Sequence, residues 1–379
     1  MRKCKFRKEV VCVKILILSC DTGQGHNSAA NAVKEAFERR KVQCEVFDPL
    51  TLGGRKAAKL VSDAYTGMMK KMPSAFGVMY ELGDKYSQTG ITSPVYRANS
   101  RYSEELKTYI LDGDYTAVIC THLFPMEALT ALKKKDLLDI PCFGVLTDYT
   151  CIPFFAETAL DAYFIPHPDL ISEMKAKGLG GKIYPSGIPV SGKFSDHCKK
   201  SEARKKLGLD ENLPMILVMS GGIGVGHISE LCGELKVNDE AFSACILCGK
   251  NTELLDNIRE NFAADKRFVP LEYTDEVNLY MNSADVMISK PGGLTSTEAA
   301  VANVPLVQLL AYTGCELRNI EFFASRGLSL RAGNAKEASE LAFMLIGDRK
   351  RADEIIAAQR ANIPQNAADS IAETVIGYE

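Results

Sequence analysis

Two stretches combine small residues with side chains able to hold an anion or act on a substrate. The longer runs from Ser289 to Leu306, SKPGGLTSTEAAVANVPL. It reads as a strand end (Val286-Met287-Ile288), a tight turn through Pro291, Gly292 and Gly293, then a helix opened by Thr295, Ser296 and Thr297. Glycine lets a backbone approach a ligand closely, and the unpaired N–H groups of a helix start suit an anion, most often a phosphate. Glu298 follows just inside the helix, within reach of a sugar hydroxyl on a phosphate ester docked there. The plain alternative is a connecting turn, since glycine-rich turns abound in α/β sheets. The shorter stretch is DTGQGHNS, placed after the apolar run VKILILS. Gly23 and Gly25 permit backbone approach there, and His26 is the side chain best placed to act from the loop. His26 is otherwise a neighbour of a helix cap with no chemistry.

Asp148 ends another strand-like run, PCFGVL followed by Thr147-Asp148-Tyr149. It is a candidate for catalysis or acceptor binding, or else a loop cap. Metal chemistry has no support: no two of the 5 His residues share the i, i+4 spacing of a helical ligand pair. The 12 Cys residues are scattered, many in apolar strand-like runs (Cys20, Cys120, Cys142), as reduced thiols of a cytosolic protein would be. Cys245 and Cys248 form a C-x-x-C pair inside ACILCG, a strand rather than the helix start a redox pair wants.

These groups need a scaffold that brings strand ends together. Val13 to Ser19, then Ala29 to Arg40 at helical spacing, read as strand, loop and helix, the opening of a doubly wound α/β domain. Strands follow at 43–47, 115–120, 141–146, 162–165 and 183–185. The second half begins again with MILVMS, the glycine loop from Gly221 and Gly222 to Gly226, and a helix from Ile228. Glu316 and Asn319 lie on nearby turns of a later helix, 314–326. A chain of 379 residues fits two domains. We assign them to 1–195 and 196–364, with a last helix at about 365–379 packed back on the first domain. Two like domains then face a cleft with their glycine loops.

A net charge of −3 gives no field for nucleic acid. No apolar run reaches the ~18 to 20 residues of a membrane span. The basic start (Arg2, Lys3, Lys5, Arg7, Lys8) precedes the first strand without a clean cleavage site. From Arg55 to Tyr109 the chain is helical but rich in Met, aromatic and basic residues, including Lys56, Lys59, Met68, Met69, Lys70, Lys71, Met72 and Phe76. Such a stretch is either an insertion packed on the first domain or an amphipathic surface that meets anionic lipid headgroups and a greasy acceptor.

The ordered blocks ILILSCDTGQGHNSAANAV, FGVLTDYT, YPSGIPVSGKF, VMSGGIGVG, CGKN and SKPGGLTSTEAAVANVPLV with GCELRN carry a family resemblance over nearly the whole chain. The chain resembles the monogalactosyl- and processive glucosyl-diacylglycerol synthases, relatives of the peptidoglycan lipid N-acetylglucosaminyltransferase. The resemblance implies a GT-B fold of two Rossmann-like domains and an inverting hexosyl transfer from a UDP-hexose to diacylglycerol or a similar lipid. It implies a cytoplasmic enzyme, peripheral on the inner face of the cell membrane, with no cofactor. His26 would be the general base or acceptor-orienting group, with Asp148 the second catalytic candidate. Gly292, Gly293, Leu294, Thr295 and Ser296 would hold the diphosphate, assisted by Gly25, Gly221 and Gly222. Glu298 would take the ribose hydroxyls, and Asn251 would lie near the nucleotide. Backbone from Phe268 to Tyr273 would cradle the uracil, and Glu316 and Asn319 would read the hexose.

Two departures stand out. Many members carry a His before the Pro of the run that here reads TDYTCIPFF, with Ile152 in that place. Gly-Gln-Glu is common near the sugar, and here Gly314-Cys315-Glu316 lacks the amide. The sequence therefore leaves the sugar and the acceptor open. Another lipid-linked or soluble acceptor, or a UDP-sugar epimerase on the same scaffold, fits the same motifs. A dinucleotide oxidoreductase fits less well, because Ser28 occupies the third glycine position of its loop.

Overall fold

The computed structural model describes residues 13–21, 23–53, 83, 92–219, 228–310 and 314–378. Gly221, Gly222, the basic N-terminal residues, and Lys56, Lys59, Met68, Met69, Lys70, Lys71, Met72 and Phe76 lie outside the described residues.

Short apolar runs build two parallel sheets of six strands. The first comprises β1 (Lys14–Leu18), β2 (Gln43–Phe47), β3 (Ala117–Cys120), β4 (Cys142–Val145), β5 (Ala162–Phe164) and β6 (Lys182–Tyr184), in the order β2-β1-β3-β4-β5-β6. The second comprises β7 (Met215–Met219), β8 (Ser243–Gly249), β9 (Phe268–Glu272), β10 (Val286–Ser289), β11 (Leu306–Leu309) and β12 (Leu330–Ala332), in the order β12-β11-β10-β7-β8-β9. That second order is the doubly wound one, reversing between β7 and β10; the first sheet reverses between β1 and β3. Ligands of open α/β sheets bind beyond the strand C-termini at such reversals.

Each sheet is covered on both faces, which is why its strands read as unbroken apolar runs. Along β1 the alternation is plain. Ile15 and Ile17 join a cluster with Phe37, Ile371 and Val375, while Leu16 and Leu18 join the large cluster that reaches Leu294 and Phe322. One core is thus shared between the lobes. The helix Ala367–Ile376 closes the outer face of the first sheet through Ile371, Ala372 and Val375. Arg39 pairs with Asp369 at 2.9 Å, and Arg40 with Asp369 and with Glu373, at 2.6 Å for the latter. These pairs are largely solvated, so apolar burial and not charge carries the attachment.

One local expectation changes. The stretch read as a loop through Ser28 is helical from Gln24: the helix is Gln24–Arg39, with extended Gly23 as its cap. Gly25 and His26 therefore stand in a first helical turn. The cause is Asn27, whose Oδ1 accepts from Ser19 Oγ at 2.6 Å while its Nδ2 donates to Asp21 at 3.3 Å, folding the turn onto the end of β1. The second helix, Gly293–Val301, likewise starts before the hydroxyl residues, with Gly292 as cap.

Candidate functional site

His26 is half-buried at the reversal of the first sheet. Its Nδ1 lies 2.8 Å from the Thr121 carbonyl and 3.1 Å from Thr147 Oγ1. A carbonyl only accepts, so Nδ1 carries the proton and Nε2 keeps its lone pair, the tautomer of a base. Burial pushes the His26 pKa down, partly offset by the charge of Asp148. The positive end of its own helix works in the same direction as burial. The imidazole is therefore neutral at pH 7. Beside it, at 4.6 Å between ring centroids and nearly perpendicular, lies His122. Its Nδ1 accepts from the Phe124 N–H at 3.2 Å, and burial, then His26, hold it far below the usual histidine range.

Across the cleft, the first N–H groups of the helix Gly293–Val301 have no intrahelical acceptor. A Cβ on Gly292 would meet nothing within 4 Å, and one on Gly25 would meet Leu294 Cβ at 3.7 Å. Two helix starts, one from each lobe, so border one cavity of about 470 Å³, lined among others by Gly25, Tyr273, Leu294, Thr295 and Glu298. That volume lies in the range of small-molecule sites, and two converging helix starts favour a negatively charged guest. Burial pushes the Glu298 carboxyl up to about 8, so it is largely protonated at neutral pH and able to donate as well as accept. Among the described residues no group of three or more His, Cys, Asp or Glu is arranged to hold a metal ion.

Lys290, directly before the turn, pairs with Glu316 at 2.6 Å. Burial opposes its charge, yet Glu316 outweighs burial and holds the ammonium above its usual range. Sequence reasoning passed over Lys290, although a cation preceding an anion-suited turn was the available signal. Glu316 is thereby engaged with Lys290. Asn319, fully buried, is spent entirely on packing the lobes together. Its Oδ1 accepts from the Tyr149 N–H at 2.7 Å, and its Nδ2 donates to Asp148 at 2.8 Å and to the Pro291 carbonyl at 3.0 Å. No amide proton is left for a hexose in this arrangement. Asp148 sits beside the base and the turn. Burial raises its pKa, against the Asn319 bond and His26.

Other sequence-derived candidates separate from the cavity. The Ser296 hydroxyl is buried and accepts from Gln308 Nε2 at 2.8 Å, so only its backbone faces the helix start. Asn251 caps the helix Thr252–Phe262, its Oδ1 accepting from the Leu254 N–H at 3.0 Å. The Phe268 ring is core, packed on Phe242 and Phe262, whereas Tyr273 at the far end of the same segment is exposed on the cavity rim. The Phe268–Tyr273 segment can meet a ligand at its far end, where Glu272 and Tyr273 line the cavity. Gly293 matters for a reason no local reading supplies: a Cβ there would overlap the Thr147 carbonyl oxygen of the other lobe.

Comparison with known proteins follows this geometry. Residues 26–190 match the family model of monogalactosyldiacylglycerol (MGDG) synthase, and residues 215–311 that of the glycosyltransferase family 28 C-terminal domain. The chain is 27% identical over 353 residues to the processive diacylglycerol beta-glucosyltransferase of Bacillus licheniformis, covering 90% of this chain and 88% of that protein. Among solved structures, MurG of Acinetobacter baumannii aligns with a TM-score of 0.64 at 15% identity, over 96% of this chain and 99% of the other. The UDP-GlcNAc 2-epimerase of Neisseria meningitidis aligns with a TM-score of 0.61 at 13% identity, over 96% and 100%. Those two likenesses show the GT-B type of fold and no more, since a transferase and an epimerase share it. The two family models and the Bacillus relative decide the rest: the chain is a GT-B glycosyltransferase of the monogalactosyldiacylglycerol synthase and processive diacylglycerol glucosyltransferase family.

Proposed function

We propose that this enzyme moves a hexose, glucose or galactose, from a UDP-sugar to diacylglycerol or a similar membrane lipid, with inversion at the anomeric carbon. One observation carries the reading. Thr147 places its hydroxyl 3.1 Å from the His26 imidazole and its carbonyl oxygen against Gly293, so a single residue spans from the base to the anion-suited helix start. The acceptor hydroxyl gives its proton to Nε2 of His26 as its oxygen attacks the anomeric carbon. The bond to the diphosphate breaks on the opposite face. The departing charge meets the N–H groups of Gly293, Leu294 and Thr295. Glu298 takes the ribose hydroxyls from the cavity floor.

No metal is needed in this scheme, because the second-lobe helix start faces the leaving group; transfer at full rate in EDTA is the expected result. The lipid acceptor is supported by the diacylglycerol beta-glucosyltransferase named above from Bacillus licheniformis. Among the described residues no helix is long and apolar enough to cross a membrane. We place the enzyme peripherally on an anionic membrane surface, the cytoplasmic face, through the basic, Met-rich part of the 55–109 stretch that carries Lys56 to Phe76; the end of the stretch instead packs into the first lobe, where Tyr102 and Leu106 are buried. Neutralising Lys56, Lys59, Lys70 and Lys71 together should abolish co-flotation with phosphatidylglycerol vesicles; unchanged flotation would remove that face from the account. The activity itself is tested by turnover with UDP-glucose and UDP-galactose, with and without diacylglycerol in mixed micelles.

A further inference from the structure

Tyr149 belongs by sequence to the first lobe, yet its packing partners lie in the second. It is 2% exposed. Its ring stacks on Phe322 at 4.5 Å and meets Phe323 edge-on at 5.1 Å, and its backbone N–H donates to Asn319 Oδ1. Its hydroxyl lies 2.8 Å from Thr297 Oγ1. Thr297 has one hydroxyl proton, and that proton is used on the Gly293 carbonyl at 2.7 Å. The Tyr149 hydroxyl must therefore be the donor between the two. The bond runs from the first lobe into the helix whose start borders the cavity. Two residues earlier in the chain, Thr147 holds the His26 ring.

We propose that Tyr149 is a positioning residue for the transfer step: plugged into the second lobe, it fixes Thr147, and through Thr147 it sets the base His26 against the helix start that receives the leaving group. Tyr149 touches no reacting atom in this arrangement. The N–H groups and the carboxyl assigned above to UDP, those of Gly293 to Thr295 and Glu298, all belong to the second lobe, so UDP binding needs the plug far less than alignment of base and donor does. The inference rests on the hexosyltransferase reading for its kinetic arm only.

The test uses the full chain as Tyr149→Phe and Tyr149→Ala. Tyr149→Phe keeps the stacking and loses one hydrogen bond, whose net worth corresponds to about a 2- to 12-fold effect; kcat should fall within that range. Tyr149→Ala empties the aromatic socket, and kcat should fall by about 100-fold, in line with the loss expected when a positioned group is displaced by roughly 1 Å. In both, the Kd for UDP and the KM for the UDP-sugar should stay within about twofold. A plain loss of fold would move all of these together, whereas a positioning role splits kcat from KM. A second readout needs no substrate: hydrogen exchange at residues 146–150 should quicken in Tyr149→Ala while the strands β1 and β7 keep their protection. Wild-type enzyme that makes no glycolipid, with exchange quickened as described, would retire the activity and leave the plug standing. Unchanged exchange, unchanged kcat, or a loss confined to UDP affinity would each overturn the inference.

Discussion

In the first lobe, the helix that follows β1 begins at Gln24 and carries an imidazole in its first turn. In the second, the helix that follows β10 begins at Gly293 and carries Leu294 and Thr295 there, with a half-buried carboxyl one turn on. Both helices start at the reversal of their sheet, and both point positive ends at the same cleft. The field that suits a leaving diphosphate in the second lobe disfavours an imidazolium in the first. The same backbone device thus serves two purposes: it stabilises an anion where no side chain intrudes, and it keeps a base neutral where one does. The side chain placed in the first turn decides which purpose is served.

The largest break in that comparison comes from removing the base. In His26→Ala, transfer should fall by about 10³-fold, within the usual range for general base catalysis, while the Kd for UDP stays within about twofold; wild-type activity would end the assignment. Next is Gly293→Ala, which forces the Thr147 carbonyl away from the helix start. Here both kcat and UDP affinity should fall, each by about tenfold or more, because the contact joins the base and the anion site; a variant with wild-type values would show that the lobes meet differently. Glu298→Ala should weaken UDP binding by roughly 10-fold, the cost of a hydrogen bond to a charged or strongly polar group. Glu298→Gln should recover most of it at pH 7, since the native carboxyl is largely protonated there.

The smallest expected effect is in stability against pH, and it sharpens the contrast between a base and a carboxyl that are both half-buried. The His26 pKa is lowered on folding, so its contribution is present above the ordinary histidine value and is lost as pH falls below it. Glu298 and the buried Glu127 are both raised to about 8. In the folded state they hold protons that the unfolded chain releases, so their contribution is present below pH ~4.5 and is lost as pH rises to about 8. Thermal scans between pH ~6.5 and ~8, above the histidine range, should show a falling Tm whose slope is reduced in Glu127→Gln and not abolished, since Glu298 still titrates there. An identical slope in the variant would show that the Glu127 carboxyl is ionised in the folded protein.

Much of this site was legible because each part is local. The PGG turn, the small residues after it, Glu298 and the G-x-G-H motif announce themselves by type and spacing, and the strand–turn–helix alternation gives the two α/β halves. What was not legible depends on contacts between residues far apart in sequence. The resemblance implies a hexose-reading role for Asn319, and nothing in its position, one turn from Glu316, tells of the Tyr149 N–H and Asp148 carboxylate that occupy its amide. The resemblance places Ser296 at the end of the diphosphate-holding stretch, yet Gln308 from β11 takes its hydroxyl inward. Tyr149 drew no attention, since an aromatic after Thr-Asp reads as a core residue until the second lobe is seen around it. The strand order that brings both helix starts to one cleft is likewise a property of pairing, set by which strands pack side by side and not by any single segment.

The measurement that bears most directly on the central claim is product analysis after incubation with UDP-glucose and UDP-galactose, each with and without diacylglycerol in mixed micelles. The account predicts a glycolipid and released UDP with at least one donor, only when the lipid is present, and none from His26→Ala. Interconversion of the UDP-sugars without any acceptor, or lipid-independent UDP release, would contradict it.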